Sequence, residues 1–167
     1  MGVRLPLTQA TMHSSTLKAD PSRQLELGRR GEALAAAYLQ QLGYRIVASN
    51  FALPVGRNRL GVPINVEIDL VAYQKETLCF VEVKSRASDW FAPPQVNVDR
   101  RKQRQIARAA RAYRRMFDLT GQAYRYDVVT VVFGDEADAI VPKIELLRSY
   151  WTEDQLRKRT WSDRYYD

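Results

Sequence analysis

One cysteine and one histidine are all that the 167 residues contain of those two types. Together they exclude a Cys/His zinc site within one chain, and they argue against a Cys–His nucleophile or a Ser–His–Asp triad. The lone cysteine, Cys79, cannot form an intramolecular disulfide, which fits a reducing compartment. Within Leu78-Cys79-Phe80-Val81 it reads as a small buried hydrophobe. Long apolar runs are lacking too: none approaches the roughly 20 residues needed to span a bilayer. The stretch from Met1 to Gln24, which holds His13, lacks the apolar core of a secretory signal. The expectation is a cytoplasmic protein with no membrane partner. Chemistry, in such a chain, is left to carboxylates, lysine and a hard metal ion.

What is present is charge, mostly of one sign. The formal net charge is +7, which favours a polyanionic partner, nucleic acid first and an anionic membrane surface second. The chain is 46% hydrophobic, enough for one sizeable core, and its length suits one domain. Residues 1–22, with Pro6 and Pro21 and no clear period, read as a flexible N-terminal arm. Residues 23–150 form the domain proper, and 151–167 an aromatic and charged tail that packs as a short closing helix. There is no internal repeat.

Within the domain, Ser22 reads as the N-cap of a first helix. Leu27, Leu34, Ala35, Tyr38 and Leu42 form its apolar face, and Gly43 is its C-cap. Tyr44–Phe51 reads as a strand, and 52–64, with Pro54, Gly56, Gly61 and Pro63, as a loop or loose hairpin. In the next strand Val66, Ile68, Leu70 and Ala72 alternate with Glu67, Asp69, Val71 and Tyr73. Leu78–Ser85 is a third strand, and 90–94 a loop. Asp99 caps a long helix reaching about Leu119, and Tyr124–Phe133 is a further strand. A short edge strand over 139–144 is demoted by Pro142. This order of elements predicts an α/β or α+β fold around a mixed sheet.

Two features carry chemistry. A four-residue loop over Gln74-Lys75-Glu76-Thr77 pairs Tyr73 with Leu78, a two-residue loop at Lys75-Glu76 gives the same register, and counting back sets Asp69 opposite Glu82 and Glu67 opposite Lys84, all on one face. Opposed carboxylates about 4.5–5.5 Å apart repel, a cost that a divalent ion with oxygen ligands relieves. Lys84 on the same face can orient an attacking water or stabilise phosphate charge, so the parts suit phosphodiester hydrolysis. An ordinary Glu67–Lys84 ion pair beside solvated acids is the competing reading. The apolar setting Phe80-Val81-Glu82-Val83-Lys84 weighs against it without deciding. Glu32 on the first helix sits at the edge of the apolar stripe, and the nearby Gly28 and Gly31 suggest a close approach. The second feature is the long helix. At 100° per residue, Arg101, Arg104, Arg108, Arg111 and Arg115 form one stripe, opposite Ile106, Ala109, Ala110, Tyr113 and Phe117. A ridge of one sign suits phosphate contact better than a mixed solvated face does.

Taken together, Gly28-Arg29-Arg30-Gly31-Glu32-Ala33, Tyr38-Leu39, Gly43-Tyr44, Asn50, Glu67-Ile68-Asp69-Leu70-Val71, Phe80-Val81-Glu82-Val83-Lys84-Ser85-Arg86, Lys102-Gln103 and Arg125-Tyr126-Asp127-Val128-Val129 resemble the YraN-like bacterial proteins. The resemblance runs from about Gln24 to Val132. That family resembles the restriction-endonuclease-like fold, archaeal Holliday-junction resolvases in particular. The resemblance implies a single α/β domain with a central mixed β-sheet flanked by helices, and a site of the PD-(D/E)xK type. Asp69 and Glu82 would bind Mg²⁺ or Mn²⁺, Lys84 would serve the water, and Glu32 matches an additional helix glutamate. Departures are Val66, where the family usually has glycine, a longer segment over 52–65, and the N-terminal arm.

The expectation is therefore a metal-dependent DNA endonuclease working on branched or duplex DNA, with RNA left open. Arg86, Arg101, Lys102, Arg104 and Arg108 would contact nucleic acid. A homodimer is expected, since two strands call for two sites. Two other readings compete: a non-catalytic nucleic-acid-binding module, and an interaction subunit using Trp151, Trp161, Tyr165 and Tyr166.

Overall fold

The first helix, α1 (Pro21–Gln41), starts two residues before the sequence suggests: Asp20, not Ser22, is the cap, and its Oδ1 accepts the Ser22 amide at 3.0 Å. Proline at the first helical position loses no hydrogen bond there and presets φ. The helix closes at Leu42, and Gly43 follows at a φ of +83°, a left-handed value glycine reaches without strain. These details belong to a computed structural model, which describes residues 20–57, 59–87, 98–134 and 141–156.

The buried face of α1 differs from the expected one. Gly31, Ala35 and Leu39, four residues apart, lie against the sheet, while Leu42 is 40% exposed. The reason is closeness. A Cβ on Gly31 would stand 1.7 Å from Ser85 Oγ, so the contact line has no room for a side chain at that position. Gly28 has open space around the same position, so the close approach rests on Gly31 alone.

A single sheet of five strands follows, in the order β1 (Tyr44–Arg57), β2 (Pro63–Gln74), β3 (Thr77–Arg86), β4 (Tyr124–Val132), β5 (Lys143–Trp151). The first three form an antiparallel meander, β3 and β4 are parallel, and β5 returns antiparallel to β4. The mixed sheet is thus observed. The helix α2 (Arg100–Met116) makes the crossover between the parallel pair, as such connections require. Ala35 and Leu39 of α1 pack with Leu70, Cys79, Val81 and Val129. Ile106, Ala109, Ala110 and Tyr113 of α2 pack with Val66, Ile68, Phe80 and Val128 in the other core cluster. Cys79 is fully buried, and the burial pushes its thiol up to about 11, the inert buried hydrophobe expected.

Three boundaries need correction. The segment read as a loop over 52–64 is mostly strand: β1 pairs with β2 as far as Arg57↔Pro63, with irregularities at Ile46/Ala48 and Pro54/Gly56. Pro54 is tolerated because β1 is an edge strand, where a missing amide need not break a ladder. The last strand lies at 143–151 rather than 139–144. Its alternation is broken by Ser149 at a φ of 50° and by a bulge opposite Asp127. The long helix ends at Met116, with Phe117 as its C-cap, short of Leu119. Trp151, expected in the tail, is the last residue of β5, stacked on Tyr126 with centroids 4.9 Å apart. A 3₁₀ turn at Asp154–Leu156 follows. Glu153 accepts hydrogen bonds from Tyr124 and Tyr126 and pairs with Arg111 of α2, tying this end to the core. Trp161, Tyr165, Tyr166, the loop over 90–94 and nearly all of the N-terminal arm lie outside the described residues.

Candidate nuclease-type site

The site forms where β2 and β3 part. The turn at Lys75-Glu76 gives the expected register: Gln74 pairs with Thr77, Tyr73 with Leu78, and so on to Leu70↔Val81. Toward Pro63, β2 continues against β1 and, among the described residues, pairs no further with β3. Asp69 stands at this opening. Its Oδ2 accepts the Val83 amide at 2.7 Å, so a side-chain oxygen takes the place of a ladder carbonyl. Packing also changes sides here. Val66 and Ile68 join the core cluster of α2, whereas Leu70 and Ala72 join that of α1. The single face expected for Val66, Ile68, Leu70 and Ala72 is therefore split at Asp69.

Asp69 is held in a demanding environment. Burial and the charge of Glu82 push its carboxyl up to about 7, with Glu32 adding in the same direction. The Val83 amide and Lys102 oppose the rise without cancelling it. Glu82, one residue past the last β2–β3 pair, is 2% exposed. Lys84 Nζ lies 2.8 Å from its Oε1, and Lys102 Nζ lies 3.1 Å from its Oε2. Oε2 is buried, and the Lys102 ammonium is the cation that faces it. Burial works against the Lys102 ammonium, but Glu82, Asp69 and Glu67 outweigh it and its pKa is raised.

Asp69, Glu82 and Lys84 are thus brought together. Glu32 is half-buried on α1 beside Gly31, and its charge is felt at Asp69. Arg86 is exposed at the end of β3, and Arg101, Arg104, Arg108, Arg111 and Arg115 are all exposed along α2. Lys102 departs from that row. Asp99 Oδ1 accepts its amide at 2.8 Å, fixing the first turn of α2, and its side chain goes to the acid pair rather than outward. A sequence signal for this existed. Lys102 precedes Ile106, Ala109, Ala110 and Tyr113 by four, seven, eight and eleven residues, which puts it on the buried stripe of the helix.

Elsewhere a second buried acid, Asp127, is fully enclosed. It accepts from Arg125 Nε at 2.9 and 3.0 Å and from the Ser149 amide at 2.8 Å, while Arg125 also donates to Tyr44 and Gln74. The Arg125–Asp127 pair lies within β4, and its other contacts reach β1, β2 and β5, so this network fastens the fold.

The donor set tests the idea of a metal. Both carboxylates offer hard oxygen, one acid is held at raised pKa by burial and then by its neighbour, and one buried oxygen of Glu82 faces an ammonium. These features fit a divalent ion. Among the described residues no group of three Asp, Glu, His or Cys side chains is placed to hold one. Two carboxylates are nevertheless the usual protein share for Mg²⁺, with water and substrate phosphate completing its shell. No helix of the described residues is long and apolar enough to cross a membrane.

Sequence comparison agrees with the pattern read from the residues. Residues 31–131 match the profile of the uncharacterised protein family UPF0102. The chain is similar to a UPF0102 protein of Desulfosudis oleivorans, 36% identical over 128 residues, which is 77% of this chain and 91% of the relative. A UPF0102 protein of Moorella thermoacetica is 42% identical over 104 residues, 62% of this chain and 78% of the relative. One from Chlorobium chlorochromatii is 44% identical over 113 residues, 66% and 78% respectively.

Proposed function

The chain belongs to the UPF0102 family, and on that premise we propose that it is a metal-dependent DNA endonuclease of the cytoplasm. The observation that carries this reading is the meeting of Asp69, Glu82 and Lys84 where the β2–β3 pairing ends. A site for structural charge has no need of a buried carboxylate with a second, half-buried one beside it, because their repulsion costs free energy. Asp69 and Glu82 would hold Mg²⁺ or Mn²⁺. Bound there, the ion would polarise a phosphoryl oxygen and acidify a water. Lys84, on Glu82, positions the attacking water and offsets charge gathering on the phosphate. Glu32 adds negative charge beside Asp69 and helps to hold the ion in place. Arg86, Arg101, Arg104 and Arg108 bind the backbone, with guanidinium forks suited to phosphate oxygens.

Branched DNA is the proposed substrate class, cut by a homodimer whose two sites face two strands. The test is a panel of labelled duplex, single-stranded, flap and four-way-junction DNA, with a matching RNA duplex. Each is incubated with and without Mg²⁺ or Mn²⁺, alongside Asp69→Ala. Metal-dependent cuts that the variant does not make are the expected result, and light scattering of the junction complex reads two chains. Equal products from wild type and Asp69→Ala would remove the site from the reaction, and one chain per junction would remove the dimer.

One observation favours a second reading, a non-catalytic nucleic-acid-binding module. Both oxygens of Glu82 are already in contact with lysine, so the site is charge-compensated as it stands. Tight DNA binding with no cut under any metal would establish that alternative.

A further inference from the structure

Glu82 is buried, yet two ammonium groups reach it. They arrive from different elements. Lys84 belongs to β3 itself, two residues beyond Glu82, and sits at Oε1. Lys102 comes from the first turn of α2 and sits at Oε2, at 3.1 Å against 2.8 Å. A buried carboxylate oxygen is costly to leave unpaired, and a cation close by is what offsets the cost. Lys102 supplies that cation.

Asp69 and Glu82 carry two formal negatives when ionised, Glu32 adds a third beside Asp69, and Lys84 and Lys102 carry two positives. A divalent ion entering beside both ammonium groups would leave an excess of positive charge in a partly buried place, which is unfavourable at short range. One ammonium has to give way. Oε1 has the shorter contact, from the same strand. Oε2 has the longer one, from a side chain on another element. The oxygen open to exchange is therefore Oε2.

We propose that Lys102 is the resident cation of the metal-free site: it holds Glu82 Oε2, competes with a divalent ion for that oxygen, and on metal binding swings out toward the arginine row of α2, where it meets substrate phosphate. The inference rests on the nuclease reading and deepens it. Metal uptake and phosphate binding become coupled through one side chain, since the ammonium the ion displaces is delivered to the face that receives DNA. Arg101 and Arg104 flank Lys102 in the sequence and are exposed, so a released ammonium joins a basic surface already present. The lysine stem keeps its place on the helix while the head group moves between carboxylate and water, a habit of long amphipathic side chains.

The experiment is a calorimetric titration of Mn²⁺ into the metal-free full chain, without DNA. Lys102→Met keeps the apolar stem and removes the charge. Its Mn²⁺ affinity is expected to rise about tenfold, the effect of removing one cation within a few ångströms. Arg104→Met makes the same charge change on the same helix away from Glu82, and its affinity is expected to stay within about twofold of wild type, as a screened exposed charge should. No tightening in Lys102→Met, or equal tightening in both variants, would overturn the proposal. Asp69→Asn separates the two levels: if it binds Mn²⁺ as wild type does, the ion is not at this site and the nuclease reading falls with the proposal. If Asp69→Asn loses the ion but Lys102→Met gains nothing, the proposal alone falls. A measurement on the unaltered chain adds a second check. In lysine ¹⁵Nζ spectra the Lys102 signal, assigned by its absence in Lys102→Met, should shift when Mg²⁺ is added. An unmoved signal in a chain that binds Mg²⁺ through Asp69 contradicts the swing.

Discussion

Asp69 sits where the fold opposes its negative charge. In water its carboxyl titrates near 4, and in the fold burial and Glu82 raise it to about 7. The folded state therefore binds the proton more tightly than the unfolded state does. Its contribution to stability is complete below the unfolded value and is lost as pH rises through the folded one. In EDTA, Asp69→Asn should be more stable than wild type at pH 8, on the order of 1–3 kcal/mol, with the gap closing toward pH 4. Asparagine still offers an oxygen to the Val83 amide, so the change isolates charge. Chemical denaturation across that range checks it, and a gap that stays constant with pH would contradict the shift. At this scale much was legible in advance. The turn at Lys75-Glu76 fixed a register that brings Asp69 to Glu82, because side chains alternate along a strand. The parting of β2 from β3 at Leu70↔Val81 was not legible. It depends on Asp69 taking the Val83 amide, a contact between residues fourteen apart. Lys102 was readable as a member of the buried stripe, but its neighbours Arg101 and Arg104 made it look like one more surface cation.

At the scale of the element, α2 has two separable jobs. Its apolar stripe covers one side of the sheet, and its first turn, pinned by Asp99, delivers Lys102 to Glu82. Its outer face presents a row of exposed arginines, of which Arg111 is engaged with Glu153. Arg101, Arg104 and Arg108 remain at the end nearer the site. Replacing these three with alanine should weaken DNA binding to a similar extent for all sequences. The slope of log affinity against log salt should also fall by roughly 2–3, about 0.9 for each phosphate no longer neutralised. Fluorescence anisotropy over a salt series measures both, and an unchanged slope would place the DNA elsewhere. The two helices and the central strands could be read from periodicity, since their apolar spacing is regular. The outer strands resisted. Pro54 and Gly56 in β1, and Ser149 in β5, are residues of turns that edge strands and bulges accommodate, so their local signal pointed to loop while pairing with a neighbour made strand.

At the scale of the whole molecule, the sheet holds two kinds of buried charge in different places. The Asp127–Arg125 network has its hydrogen bonds made within the sheet. The cluster at Glu82 is held instead by two lysine ammonium groups from different elements. On the proposed function, that contrast separates a charge that fastens strands from one that takes a ligand. The net charge of +7 suits a polyanion as that ligand's carrier, and α1 comes close enough through Gly31 to bring Glu32 beside the same centre. The most direct test is single-turnover cleavage of a labelled four-way junction by Lys84→Ala in Mg²⁺, with binding measured separately in Ca²⁺. Cleavage slowed by roughly 10²–10³-fold or more, the range for losing a group that stabilises the transition state, with binding changed by less than about threefold, is the predicted result. Cleavage at the wild-type rate would contradict the assignment of Asp69, Glu82 and Lys84 as the reacting centre.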